Sequence, residues 1–437
     1  MRLMNGKGNE PLELEYRKQI AQVNAGFTAG QLPSRQAPKL LHFFTSFDKG
    51  WQMNSSRRQV LKTSGALLLG GGLSLPALSQ STKAAAGTRV VLLGQSVPLT
   101  GAAGEIGLAF AAGSRLAVGE FNERNAASGL QLKLLQLDDG YDATRAAANA
   151  RTLLGADKAD MLFGFVGTAS SDAGASVAAQ QGNLLFAPFA AADSLREASH
   201  PNVFHVRPGM IDEALKIVRQ CATVGQTRIA LVGDDDAMGR AGLAAVQQAV
   251  TELKVPPLVA TAMVPMGGDK LDAALKTVLQ QTPQAIVLVS LSGTTANAIR
   301  KLRKSGYTGS FMAFSIVGID PLYAELGKDI GGIVISQVVP SPRPSAIPIV
   351  KEYRAAVDNS DQTPSYEGLE GFIAAKVVGE AVRRAGRSFT TASLQRVMTA
   401  MTDYDVGGFR INLRPGLRDP SRNIDLISIS ADGRVLR

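Results

Sequence analysis

The stretch RIALVGDDDAMGRAGLAAVQQAVTELKVPPLVATAMV (residues 228–264) decides the fold class. It opens on a short apolar run, RIALV, and passes through a glycine and three aspartates. An alanine-rich segment around 238–253 follows, and the stretch closes on a second apolar run, LVATAMV (258–264). A strand-like run, a helix-like segment and another strand-like run form one strand–helix–strand unit, whose two strands lie parallel.

The same rhythm extends outward in both directions. Upstream, TRVVLLG (88–94) predicts a strand, 105–125 a helix, LQLKLLQLDD (130–139) a strand and ATRAAANARTLLG (143–155) a helix. DMLFGFVG (160–167), a helix over 170–181 and NLLFAPF (183–189) continue it. Downstream come a helix ending near 281 and QAIVLVSLSG (284–293). The expected fold class is α/β, with doubly wound parallel sheets covered by helices on both faces.

In such sheets ligands bind beyond the carboxyl ends of the strands. The loops to watch are therefore SVPLTGAAGEIG (96–107), GFVGTASS (164–171) and APFAAADS (187–194) in the first half. In the second half they are GDDDAMGRAG (233–242), SLSGTT (290–295) and FSIVG (314–318). They are rich in Gly, Ser, Thr and Ala, which leaves backbone amides open at helix starts, where a carboxylate or other small anion is favoured. Thr168, Ser170 and Ser171 are the clearest candidates, either as ligand hydroxyls or as ordinary helix caps.

Ahead of this body lies SSRRQVLKTSGALLLGGGLSLPALS (55–79), with a charged start, an apolar run and a small-residue end. That order matches a cleavable export signal, and the apolar run is too short to span a bilayer. Ser56, Arg57, Arg58, Leu61 and Lys62 match the twin-arginine motif. The expected signal covers 53–79, with translation starting at Met53 and residues 1–52 a non-native or disordered extension.

Composition narrows the function. The chain carries a net charge of +9, but residues 1–79 hold ten of the 46 Lys and Arg and only four of the 37 Asp and Glu. The remainder carries 36 positive against 33 negative side chains and has no basic run interleaved with aromatics, which argues against a nucleic-acid groove. Cys221 is the only cysteine, so no internal disulfide forms; it sits on an apolar helical stretch and reads as core. About 350 residues after the signal predict two domains.

Catalytic patterns are missing. His200 and His205 are the only histidines of the body, without metal-ligand spacing, and His205 reads as a strand or hinge residue. No G-x-S-x-G elbow or phosphate loop is present. Asp234, Asp235 and Asp236 lack calcium-loop spacing and read as a solvated strand-end loop. No enzyme activity, cofactor or metal is expected.

Four stretches resemble the type I periplasmic binding proteins, closest to the branched-chain amino-acid (Leu/Ile/Val-type) receptors of ABC importers. They are GQSVPLTGAAGEIGLAFAAGSRLAVGEFN (94–122), LLQLDDGYDATRAAANARTLL (134–154), LVGDDDAMGRAGLAAVQQAV (231–250) and SYEGLEGFIAAKVVGEAVRRAG (365–386). The resemblance covers 88–437 and implies two lobes joined by three crossings, near Val206–Arg207, Ser336–Gln337 and Val406–Gly407. Lobe one would be 88–206 plus 337–405, and lobe two 207–336 plus 406–437. Ligand held between the lobes favours their closed form, which a membrane permease would recognise.

The resemblance also implies where the ligand sits. Thr168 stands where a carboxylate-binding serine is usual, with Ser170 beside it. The second hydroxyl expected in 187–194 is absent, because Phe189, Ala190 and Ala191 offer only backbone amides there. The acid that pairs with a ligand ammonium is replaced by Ser315, and a neighbouring aromatic is lost within SLSGTT, at Ser292. Ile106 and Met238 replace aromatics that wall the ligand. Glu105 or Asp193 are the available substitutes for the missing acid. The expected function is an extracytoplasmic receptor, periplasmic and monomeric, that delivers an amino acid, amide or small carboxylate to an inner-membrane ABC permease. The alternative is a ligand-sensing subunit for a membrane signalling receptor.

Overall fold

Nine residues, RVVLLGQSV, form the first strand, β1 (Arg89–Val97). Its side chains alternate between faces: Val91 and Leu93 join the main apolar core, whereas Leu92 packs against a second, smaller cluster. A computed structural model describes residues 87–197, 199–415 and 420–436. The expected extension (1–52) and signal (53–79) lie outside the described residues.

β1 is followed by α1 (Gly104–Arg124), β2 (Leu130–Asp138), α2 (Ala143–Gly155), β3 (Met161–Phe163), α3 (Thr168–Gln180), β4 (Leu185–Phe186) and β5 (Val203–Phe204). These strands make one parallel sheet in the order β2-β1-β3-β4-β5, with Arg89 opposite Leu130 and Val97 opposite Asp138. Two helices start where an Asp sits just before an alanine-rich run. Asp142 accepts the Arg145 N–H at 2.7 Å to cap α2, and Asp236 accepts the Gly239 N–H at 2.7 Å to cap α5 (Ala237–Glu252).

The second half repeats the plan. α4 (Met210–Thr223) leads to β6 (Ile229–Asp234), α5, β7 (Ala260–Val264), α6 (Leu271–Gln280), β8 (Ala285–Val289), α7 (Ser292–Lys304), β9 (Ser310–Ala313), α8 (Ile319–Leu326) and β10 (Ile333–Gln337). The parallel strands follow the order β7-β6-β8-β9-β10, the same 2-1-3-4-5 arrangement as the first sheet. β13 (Asp425–Ile429) and β14 (Val435–Leu436) then extend the edge antiparallel.

The chain crosses three times between these sheets. The first crossing runs from Phe204 to Met210, and the second follows Gln337. After it, α9 (Pro348–Asp358), α10 (Tyr366–Ala385) and α11 (Thr391–Ala400) return to the first half, where α10 packs along α1. That packing needs glycine: a Cβ on Gly113 would lie 1.8 Å from the Gly368 carbonyl oxygen, and one on Gly371 would lie 2.1 Å from that of Phe110.

The third crossing comes later than Val406–Gly407. The hairpin β11 (Tyr404–Asp405) and β12 (Arg410–Ile411) still belongs with the helices, because Ile349 donates its N–H to Gly407 O (2.9 Å) and Leu413 donates to Met401 O (3.0 Å). Asn412 donates its N–H to Pro420 O (2.8 Å), so the chain joins the second sheet between Pro420 and Asp425. No helix among the described residues is long and apolar enough to cross a membrane.

Candidate functional site

The strand-end loops of both sheets converge on one narrow cavity of about 20 Å³. From the first sheet come Ala103 and Ile106 after β1, Tyr141 after β2, Val166 to Thr168 after β3 and Phe189 to Ala191 after β4. From the second come Met238 after β6, Leu291 after β8 and Ile316 after β9, with Met210 at the end of the first crossing. That is room for about one water, so a larger ligand enters only as the two sets of loops move apart.

Backbone geometry holds these loops together. β3 stops at Phe163 because Gly164 takes a φ of +59°, while its N–H still holds the chain to β4 by donating to Phe186 O at 2.8 Å. The two loops then pair again at an isolated bridge between Val166 and Phe189, with Phe189 N–H donating to Phe165 O (2.7 Å) and Gly167 N–H to Phe189 O (3.1 Å). Ala187 and Tyr141, both flanking the cavity loops, take positive φ of 50° and 68°, a strained choice for a residue other than glycine.

Gly167 is the N-cap of α3, at φ 92°. A glycine cap has no side-chain acceptor, so the first amides of α3 receive no side-chain cap. The expectation that Thr168, Ser170 or Ser171 caps this helix is therefore corrected: all three lie within it. Thr168 lines the cavity and is 8% exposed. A Cβ on Gly167 would also lie 2.5 Å from the Tyr141 ring, so this position sets both the helix start and the seat of the tyrosine.

Behind the Phe189 wall sits a buried charge cluster. The Arg207 guanidinium lies 4.4 Å from the centre of the Phe189 ring, and Phe110 meets the same ring edge-on at 5.5 Å. Arg207 donates to Ser315 Oγ at 2.5 Å and lies 3.6 Å from both Glu213 and Glu370. Glu213 Oε2 accepts from Ser315 N–H (3.0 Å) and Ser336 Oγ (2.6 Å). Burial pushes the Glu370 carboxyl up to about 7, against the pull of Arg207. The cluster joins α10 to the first crossing, α4 and the loop after β9.

Of the residues expected at the site, Ile106, Thr168, Phe189, Ala190, Ala191 and Met238 line the cavity together. Ser170 is buried within α3, and Ser292, half-buried, begins α7 outside the cavity. Glu105 is exposed and faces a separate groove with Asp320 and Glu367. Asp193 accepts the Ile211 N–H at 3.0 Å near the start of α4. Ser315 is committed to Arg207 and Glu213 and does not line the cavity, whereas its neighbour Ile316 does.

The three aspartates after β6 are not uniformly solvated: Asp234 is fully buried and accepts the Leu291 N–H at 3.0 Å, and burial pushes its carboxyl up to about 6. Asp235 pairs with Arg240 at the surface, and Asp236 caps α5. His205 follows β5 directly, with Nε2 3.1 Å from Leu195 O, and burial drives its imidazole well below the ordinary value. Cys221 is buried in α4, where burial pushes its thiol up to about 11.

Sequence reasoning missed Tyr141 and Arg207. The one signal for Arg207 was a lone cation in the apolar run VFHVRPGM (203–210), at a position already expected to be a crossing.

Two like parallel sheets whose strand-end loops share one cavity define a solute-binding receptor. The chain belongs to the periplasmic binding protein family, whose sequence model matches residues 90–434. Among solved structures, a possible leucine/isoleucine/valine-binding protein from Rhodopirellula baltica SH 1 is 26% identical, with a TM-score of 0.74 over 80% of this chain and 97% of that one. A substrate-binding periplasmic protein from Ralstonia solanacearum is 29% identical, with a TM-score of 0.72 over 80% and 99%. A branched chain amino acid ABC transporter from Thermus thermophilus with bound valine shares the fold at 18% identity, with a TM-score of 0.73 over 80% and 96%. No curated protein matches the chain in sequence.

Proposed function

We propose that this receptor captures a small polar ligand, an amino acid, amide or small carboxylate, outside the cytoplasmic membrane and hands it to an inner-membrane ABC permease. Two lobes would close on the ligand: residues 88–206 with 337 to about 420, and residues 207–336 with the stretch from about 425 onward. Thr168, Ile106, Phe189, Ala190, Ala191 and Met238 would contact it. The twin-arginine-type signal (53–79) would export the chain already folded, and it would act as a monomer without chemistry of its own.

The observation that carries this reading is the cavity built by strand-end loops of both sheets, with Thr168 at the uncapped start of α3. A ligand that touches both halves favours their approach by its differential affinity for the closed form. The test is a thermal-shift panel of amino acids, amides and small carboxylates on the full chain. A ligand at 100 times its Kd adds about 2.7 kcal/mol to the native state, which moves the transition measurably. If no member of the three classes shifts it, the proposal fails.

A further inference from the structure

We infer that the ligand is an apolar monocarboxylate without a free ammonium group, a branched or aromatic acid in preference to the matching amino acid. This deepens the receptor reading and rests on it.

The cavity has an anion end. Thr168 is more than nine-tenths buried, lines the cavity and makes no side-chain hydrogen bond with the described residues, at the first turn of a helix whose N-cap is glycine. A hydroxyl in that setting, beside amides without a side-chain cap, is matched by a carboxylate. Tyr141, which carries a hydroxyl, also lines the wall. Burial and the nearby Asp236 and Asp234 hold it far above the ordinary phenol range, so it stays protonated and can donate.

The cavity has no cation end. None of its lining residues is an Asp or a Glu, and the acids around it each hold a group of the protein. Asp236 Oδ1 accepts from Gly239, Asp234 Oδ2 from Leu291, and Glu213 Oε2 from Ser315 and Ser336. Glu370 faces Arg207. Asp234 keeps one oxygen without a hydrogen bond, but that carboxyl is fully buried and does not line the cavity.

Three of the wall carbonyls already carry a donor from the protein. Phe189 O accepts from Gly167 (3.1 Å), Ala191 O from Met210 (2.7 Å) and Ala190 O from Arg196 (3.5 Å). An ammonium enclosed there would be buried without a carboxylate on the wall to pair with, a penalty of about a hundredfold in affinity. Ile106, Phe189, Met238, Leu291 and Ile316 instead offer an apolar sleeve for a hydrocarbon tail.

Calorimetric titration of the full chain at pH 7.5 tests this with matched probes. These are 4-methylpentanoate against leucine, 3-phenylpropanoate against phenylalanine, and 4-methylpentanamide as the neutral analogue. The expected result is that at least one acid binds tenfold or more tighter than its amino acid and than the amide. Thr168→Val should weaken that acid about tenfold, and Thr168→Ser should restore it, with the ligand-free melting temperature unchanged in both. An amino acid or amide that binds as tightly as its acid overturns the ligand class and leaves the receptor reading standing. Absence of binding by every acid, amide and amino acid overturns both.

Discussion

Replacing Arg207 by Met probes the charge cluster behind the cavity. The guanidinium is fully buried against two carboxylates 3.6 Å away, a serine hydroxyl at 2.5 Å and the Phe189 ring at 4.4 Å. Methionine keeps much of the volume and the contact with the ring but leaves Glu213 and Glu370 without their cation. Removing one member of a buried ion pair costs about 3–5 kcal/mol. In a protein of this size that lowers the melting temperature by about 5–10 °C. The loss should depend on pH. Arg207 pulls the Glu370 carboxyl down, against burial, to about 7. Above pH 7 the parent holds a paired carboxylate, whereas the variant must keep it unpaired or take up a proton. Below about pH 5 Glu370 is protonated in both proteins, so the difference between them narrows. Thermal unfolding of both at pH 5 and pH 8 reads the effect, and adding Glu370→Gln should recover part of the loss at pH 8. A loss below about 1 kcal/mol, equal at both pH values, would refute the view that Arg207 binds these elements together.

Two predictions concern stability elsewhere. Gly113→Ala should cost about 1–3 kcal/mol or more, because its Cβ would lie 1.8 Å from the Gly368 carbonyl oxygen between α1 and α10. Gly119→Ala on the same helix meets nothing within 4 Å and should stabilise by roughly 0.5–1 kcal/mol; urea unfolding that ranks the two equally contradicts the close-crossing account. The second concerns Glu367, whose carboxyl burial pushes up to about 7, with Asp320 and Glu370 facing it. The unfolded value is about 4.3, so its stabilising share is complete below about pH 4 and is lost as pH rises through 7. Glu367→Gln should flatten the decline in unfolding free energy between pH 5 and 8, read by urea unfolding, by an amount on the order of 2 kcal/mol, and an unchanged slope would contradict it.

The repeated unit at 228–264 was legible because its strands, of six and five residues, sit in apolar runs and its helix is capped by a local side chain, Asp236. β3 and β4 are far shorter than their apolar runs suggested. Positive φ at Gly164 and Ala187 turns the chain out of the sheet and into the cavity wall. Local sequence could not place the charge cluster. Arg207 meets Ser315, Glu213 and Glu370 from three separate elements, and an isolated arginine does not declare partners that distant. Ser315 illustrates the same limit: as a sequence position it stood for a missing ligand contact, whereas in the fold it belongs to Arg207 and Ile316 takes the cavity wall. Asp234 looked like a surface aspartate because its partner, the Leu291 amide, lies beyond the next strand but one.

The most direct measurement of the central claim is a crystal structure of the protein grown with 4-methylpentanoate. The account places the carboxylate within hydrogen-bonding distance, about 2.7–3.2 Å, of Thr168 Oγ1 and the first amides of α3, with the hydrocarbon tail between Phe189, Met238 and Ile316. A carboxylate turned toward Met238 and Leu291, or a ligand held anywhere outside this cavity, would contradict it.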